Sequence, residues 1–163
     1  MGAIAEIVTL LPNDNVYATK FNMELVTNDV DEQFKNSSTL KEIRPHSKIV
    51  FGKKSIFPIS VTHSIPDAVC YVLYTEHGAI VYTGDFVFDS TMQGNYKTDI
   101  GKLAYVGKQG VLCLLAESLY AEKEGHTSPN NRIKPFIREV LENNDDRIIA
   151  TILPAHIYRV QEI

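Results

Sequence analysis

The chain has 163 residues, of which 44% are hydrophobic and 22% are charged, a composition typical of a soluble globular domain. Its net charge of −4 excludes the domain-wide basic surface by which many proteins bind nucleic-acid phosphates. No apolar run approaches the ~20 residues of a membrane helix, and the N-terminal residues lack the pattern of a secretory signal. A protein without a membrane segment or a secretory signal is therefore expected.

Short helices and strands are predicted in the first part of the chain from hydrophobic periodicity and turn residues. They are a helix over 2–11 ended by Pro12, a strand over 15–19, an amphipathic helix over 20–36, and two strands in 47–64 around the turn Gly52-Lys53-Lys54.

The second part predicts longer apolar strands and further helices. They are a hairpin over 67–86 with its turn at 76–78, a strand over 110–118, a helix from Ser128 or later, a strand over 146–156, and a helix from Ile157. Continuous apolar runs such as "GVLCLLA" are typical of strands buried on both faces. Alternating strands and helices of this kind predict an α/β fold, in which helices flank the sheet layers.

The two cysteines lie inside apolar runs, "AVCYVLY" for Cys70 and "GVLCLLA" for Cys113. Neither belongs to a C-x-x-C pair, so a structural zinc site of that type is not expected. Both thiols are predicted to be buried and unpaired, as is usual in a reducing compartment.

Two residues with side chains that can bind metals lie at the ends of predicted strands in the hairpin region. His63 follows one predicted strand and Asp85 follows another, so both side chains are expected at one edge of the sheet. An imidazole and a carboxylate that converge there suit Zn²⁺ or Mn²⁺, and Ser64 or Asp67 could orient the imidazole. The alternative is a capped strand end with a solvated aspartate and an isolated histidine.

Two further residues follow predicted buried strands. Glu117 either supports the same site or is the exposed end of its strand, and His156 either contributes to function or is structural.

Three stretches, "VTHSIPDA", "GAIVYTGDFVFD" and "GVLCLLAESLYAE", resemble ribonuclease J, a ribonuclease of the β-CASP group with a metallo-β-lactamase fold. The resemblance implies an αββα-type fold and a site with two Zn²⁺ or Mn²⁺ ions. In it, His63 and Asp85 are metal ligands, and Asp85 bridges the ions. It also implies 5′-exonuclease and endonuclease activity on RNA, in the cytoplasm, within a homo-oligomer or with a paralogous subunit.

The sequence also departs from the family pattern. The family's H-x-H-x-D-H motif has no counterpart here, so residues 1–163 are expected to form a partial metallo-β-lactamase domain. That domain would lack the first strands and end at the β-CASP boundary. Glu117 keeps the acidic position of the family's S-D-S-x-N-A-E stretch, whereas Tyr120 replaces its asparagine, and His156 lies in the counterpart of A-S-N-I-H-R.

The main interpretation is a fragment of a metal-dependent ribonuclease in RNA processing and decay, inactive as an isolated chain. In that reading Ser64, Asp67, Glu117 and His156 support the site or contact RNA. One alternative is a non-catalytic subunit that assembles with an active paralogue, and a weaker one is a hydrolase of small esters or lactams.

Overall fold

The computed structural model describes residues 3–10, 14–29, 40–92, 94–125 and 133–163. The helices are α1 (Ile4–Leu10), α2 (Lys20–Asp29), α3 (Ile100–Gln109), α4 (Ile133–Glu142) and α5 (Ile157–Glu162). The strands are β1 (Val16–Thr19), β2 (Leu40–Ile43), β3 (Ile49–Phe51), β4 (Lys54–Ser60), β5 (Val69–Thr75), β6 (Gly78–Tyr82) and β7 (Val111–Leu115). No helix within these ranges combines the length and the apolar character needed to cross a membrane.

The larger sheet has five strands in the order β3-β4-β5-β6-β7. The first four strands form an antiparallel meander, and β7 pairs with β6 in parallel. Phe51 pairs with Lys54 across a two-residue turn, where Gly52 has φ +58°. Such tight hairpin turns need positive φ, which glycine adopts without steric cost. The predicted strands of this meander are therefore confirmed.

The main core lies between this sheet and α3. Its buried side chains are Ile59, Val61, Cys70, Val72, Ala79, Val81 and Val106. Asp99 begins α3 by accepting a hydrogen bond from the Lys102 backbone N–H at 2.9 Å, which satisfies one of the free donors of the first turn. The capped helix thus covers the face of the sheet that carries alternate apolar residues of β4, β5 and β6.

A second, smaller layer consists of strands β1 and β2 with helices α1 and α2. Strands β1 and β2 pair in parallel, and Val8 of α1 packs with Val26 of α2. The hydroxyl of Thr19 donates to the carbonyl of Asp67 at 3.0 Å, which ties β1 to the loop between β4 and β5. The architecture is therefore mixed α/β, with sheets flanked by helices.

Two predictions about apolar strands are wrong. Strand β7 forms, but all five of its residues are exposed, including Cys113. Within the described ranges β7 pairs only with β6 and stands at the edge of the sheet, so the apolar sequence is not covered as expected. Residues 147–153 form no strand and are exposed, since no strand within those ranges pairs with them. An apolar run predicts burial only where a partner surface is present.

Helix boundaries also differ from the predictions. Residues 30–36 of the second predicted helix, and the predicted start of helix α4 at Ser128, lie outside the described residues. Helix α4 includes Pro135 in its first turn, where a missing N–H costs no helical hydrogen bond. Strand β2 and helix α3 were not predicted as separate elements.

Candidate functional site

His63 lies in the loop that joins β4 to β5, beside a bridge between Thr62 and Val87. Asp85 lies three residues beyond the end of β6, next to Gly84, which has φ +60°. A side chain at Gly84 would come within 3.4 Å of the Val69 carbonyl oxygen, so glycine allows this close approach. The sequence therefore places each residue at a strand end, as predicted.

The two residues meet at one edge because of the direction of their strands. Both β4 and β6 run antiparallel to β5. The C-terminal ends of β4 and β6 therefore lie side by side, at the same end of the strands. His63 and Asp85 line one cavity of about 400 Å³, together with side chains from β1, β5 and β6. The geometric expectation about this pair agrees with the structure, while their role as metal ligands stays a prediction.

Four ionisable side chains share the electrostatic environment of this edge. Burial lowers the pKa of His63, and the nearby imidazole of His156 lowers it further, whereas the carboxylates of Asp85 and Glu117 raise it. The rings of His63 and His156 lie edge to face, with their centroids 6.2 Å apart. The structure thus brings His156 and Glu117 to the predicted pair, although they are distant in sequence.

Glu117 has a defined structural role at this edge. Its Oε2 atom accepts the backbone N–H of Phe86 at 2.9 Å, directly beside Asp85. The backbone N–H of Glu117 in turn donates to the Thr83 hydroxyl at 3.1 Å. These two bonds hold the turn of Asp85 against the end of β7. Thr83 was not predicted, because a threonine beside a glycine gives no signal of a partner 34 residues away.

The loop of His63 also contains Ser64 and Asp67. The hydrogen bond described for the imidazole comes from the backbone: the Ile65 N–H donates to Nδ1 at a long 3.4 Å. Asp67 has φ +55° and contributes its carbonyl to Thr19. The proposed orienting roles of the Ser64 and Asp67 side chains therefore remain predictions.

The donor chemistry of this edge suits a transition metal, but the arrangement is incomplete. Within the described ranges, no three His, Cys, Asp or Glu side chains come together closely enough to hold an ion. Ligation by Nε2 of His63 would also require the proton on Nδ1, and the contact with the Ile65 N–H would then be lost. The described residues consequently do not fit a fixed metal ion by themselves.

Tyr120 has an unusual backbone conformation. Tyr120 has φ +62°, a region in which asparagine is favoured and bulky residues are rare. Its ring receives the ammonium group of Lys123, which lies 3.8 Å from the ring centroid. The positive φ of Tyr120 is therefore unusual for so bulky a residue.

Comparison with known proteins gives a consistent family. Ribonuclease J2 of Bacillus subtilis (strain 168) is 36% identical over 149 residues, which are 91% of this chain and 27% of that protein. Ribonuclease J 2 of Staphylococcus aureus (strain NCTC 8325 / PS 47) is 31% identical over 168 aligned residues, covering 100% of this chain and 29% of that protein. The chain therefore spans less than a third of the length of these relatives. No family model matches the chain.

The fold is also found among solved structures. A crystal structure of a protein of unknown function from Enterococcus faecalis V583 superposes with a TM-score of 0.66 at 19% identity. The match covers 93% of this chain and 39% of that chain.

Proposed function

Because the chain belongs to the ribonuclease J family, we propose that it serves metal-dependent hydrolysis of RNA phosphodiesters, with His63 and Asp85 as metal ligands. RNA is the substrate class, in cytoplasmic RNA processing and decay, and Zn²⁺ or Mn²⁺ is the cofactor. The αββα arrangement of the metallo-β-lactamase fold and oligomerisation with a paralogous subunit belong to the same proposal.

A single observation carries this proposal: His63 and Asp85 line one cavity at the shared end of β4 and β6. Each residue stands in a stretch that resembles a metal motif of the family, and the fold brings the two stretches together. Two scattered surface residues would not be expected to share a cavity.

The residues of the chain support this site in separate ways. Asp85 stands in a turn whose conformation is fixed by Glu117, so its carboxylate is presented from a defined backbone. Burial favours the neutral imidazole of His63, which is the form that binds metals. The small cavity beside them is lined partly by tyrosine side chains, Tyr17, Tyr71 and Tyr82, which could stack on a nucleobase.

We expect the 163-residue chain alone not to cleave RNA. Only two of its residues match family ligands, and the described residues hold no group of three. Correct orientation of reactants is worth roughly 7–11 kcal/mol of barrier. Losing half of it, ~4–5 kcal/mol, slows a reaction by about a thousandfold or more. The assay is incubation with 5′-monophosphorylated RNA and Mn²⁺ or Zn²⁺, and cleavage that His63→Ala abolishes would contradict this expectation.

The metal role itself is tested without catalysis. Mn²⁺ added to the isotope-labelled chain should broaden the NMR signals of His63 and Asp85 before other signals. The variants His63→Ala and Asp85→Asn should weaken this broadening. His77→Ala is the matched control, because that histidine lies exposed in the β5–β6 turn, at the opposite end of the hairpin. Broadening that ignores both site variants would refute the metal role.

A second function is supported by Tyr120, which replaces the asparagine of the family pattern. A non-catalytic subunit would keep the fold while tolerating the loss of an RNA-contact residue. In that case Mn²⁺ would not select His63 and Asp85, and the chain would bind a full-length ribonuclease J protein tightly in a pull-down. The Mn²⁺ experiment therefore separates the two functions, because binding to a ribonuclease J protein is expected in both.

A further inference from the structure

The residue directly before His63 is buried and fully hydrogen-bonded. Thr62 is 0% exposed, and each of its polar groups has a partner. Its backbone N–H donates to the hydroxyl of Thr98 at 2.8 Å, and its own hydroxyl accepts the Thr98 N–H at 3.2 Å. The two hydroxyl oxygens are also 3.0 Å apart, within hydrogen-bond distance. This reciprocal pair fixes the backbone immediately before the imidazole.

The same residue connects the loops of His63 and Asp85. The carbonyl of Thr62 accepts the N–H of Val87 at 2.8 Å, two residues beyond Asp85. A third loop, before α3, joins through Thr98, and the N–H of Asp99 donates to the carbonyl of Ser60 at 3.1 Å. A short chain of hydrogen bonds that includes Thr98 thus links the loops of His63 and Asp85.

We propose that Thr98, acting through Thr62, is a positioning residue that holds His63 at its distance from Asp85. The inference rests on the proposed function of those two residues, and Thr98 itself does not contact the cavity that they line. Its role follows from burial: Thr98 is 6% exposed, so water cannot easily replace its hydroxyl. A buried N–H left without an acceptor is costly, and the Thr62 backbone would move to find one.

Two substitutions separate the hydroxyl from the shape of the side chain. Thr98→Val keeps the branched shape and removes the acceptor of the Thr62 N–H. Thr98→Ser keeps the hydroxyl and removes the methyl group. Val106→Ala is the control, because Val106 is a buried residue of α3 outside this hydrogen-bonded set.

The readout is the NMR signals of the His63 ring and the Asp85 amide. Thr98→Val should shift both by more than their linewidths, and Thr98→Ser should return them to the wild-type positions. Val106→Ala should leave both signals in place even if it lowers the melting temperature as much as Thr98→Val does. In Mn²⁺ titrations, Thr98→Val should weaken the affinity by roughly tenfold, the usual effect of losing a residue that orients a ligand.

The outcomes distinguish this inference from the proposed function. If the wild-type chain shows no Mn²⁺ effect but Thr98→Val still moves the His63 and Asp85 signals, the metal role fails and the positioning role stands. If Thr98→Val moves neither signal, or Val106→Ala moves both equally, the positioning role is overturned. Should Thr98→Val not fold, hydrogen exchange in the wild-type chain decides: slow exchange of the Thr62 and Val87 amides supports the role, and fast exchange overturns it.

Discussion

Replacing Glu117 by alanine should loosen the turn that carries Asp85. The change removes the acceptor of the Phe86 N–H, a hydrogen bond of 2.9 Å to a carboxylate. Hydrogen bonds to charged groups contribute about 1.5–3 kcal/mol. Because Glu117 is only half-buried, water can take over part of this bond, and we expect a loss of ~1–2 kcal/mol in the free energy of unfolding.

The assay combines thermal unfolding with hydrogen exchange. For a domain of this size each kcal/mol corresponds to roughly 2–4 °C, so the melting temperature should fall by roughly 2–8 °C. If the bond limits the opening of this turn, the Phe86 amide should exchange about 5–30 times faster, the factor that corresponds to 1–2 kcal/mol.

Two control variants isolate the carboxylate. Glu117→Gln keeps an oxygen acceptor and should lose less than the alanine variant. Glu122→Ala removes an exposed carboxylate and should change neither observable. A Phe86 amide that exchanges at the wild-type rate in Glu117→Ala would show that the bond does not hold the turn.

The remaining predictions concern titration and thiol reactivity. The pKa of His63 should lie below its ordinary value of 6.5, so that stability falls as the pH drops below that value, because the unfolded chain then binds the proton first. In NMR titrations, Asp85→Asn should lower this pKa further and His156→Ala should raise it; opposite shifts would refute the assigned causes. The exposed thiol of Cys113 should react quickly with a thiol reagent, whereas Cys70, which is buried with its pKa raised to about 11, should react only on unfolding. Equal labelling rates would contradict the described burial.

The strands of the meander could be predicted because their information is local. Alternating apolar residues and the turns at Gly52 and Gly78 determine β3 to β6 without reference to distant partners. The segment 147–153 has an equally apolar sequence, yet it forms no strand within the described structure. A strand needs a neighbour with free hydrogen-bonding groups, and that condition cannot be read from the segment itself.

The candidate site was likewise predictable only where its information is local. His63 and Asp85 could be predicted from strand-end placement and from the stretches that resemble ribonuclease J. The threonines that fix the loop could not, since Thr62 and Thr98 are 36 residues apart and neither lies in a recognisable motif. Helix α3, in contrast, was not predicted although its signal is local: Asp99 is a typical N-cap residue, and Ile100, Leu103 and Val106 follow at helical spacing.

The meander has a consequence for how the site can be altered. His63 and Asp85 lie at one end of three consecutive strands, and the turn at Glu76 and His77 lies at the other. A seven-residue strand spans about 23 Å, so an inserted tag or fluorophore at the far turn would sit well away from the cavity. Such an insertion would be expected to break the exposed ion pair between Lys53 and Glu76. A pair of this kind typically contributes less than ~1 kcal/mol to the free energy of unfolding. A probe attached to the far turn could therefore report on the site of His63 and Asp85 without contacting that site.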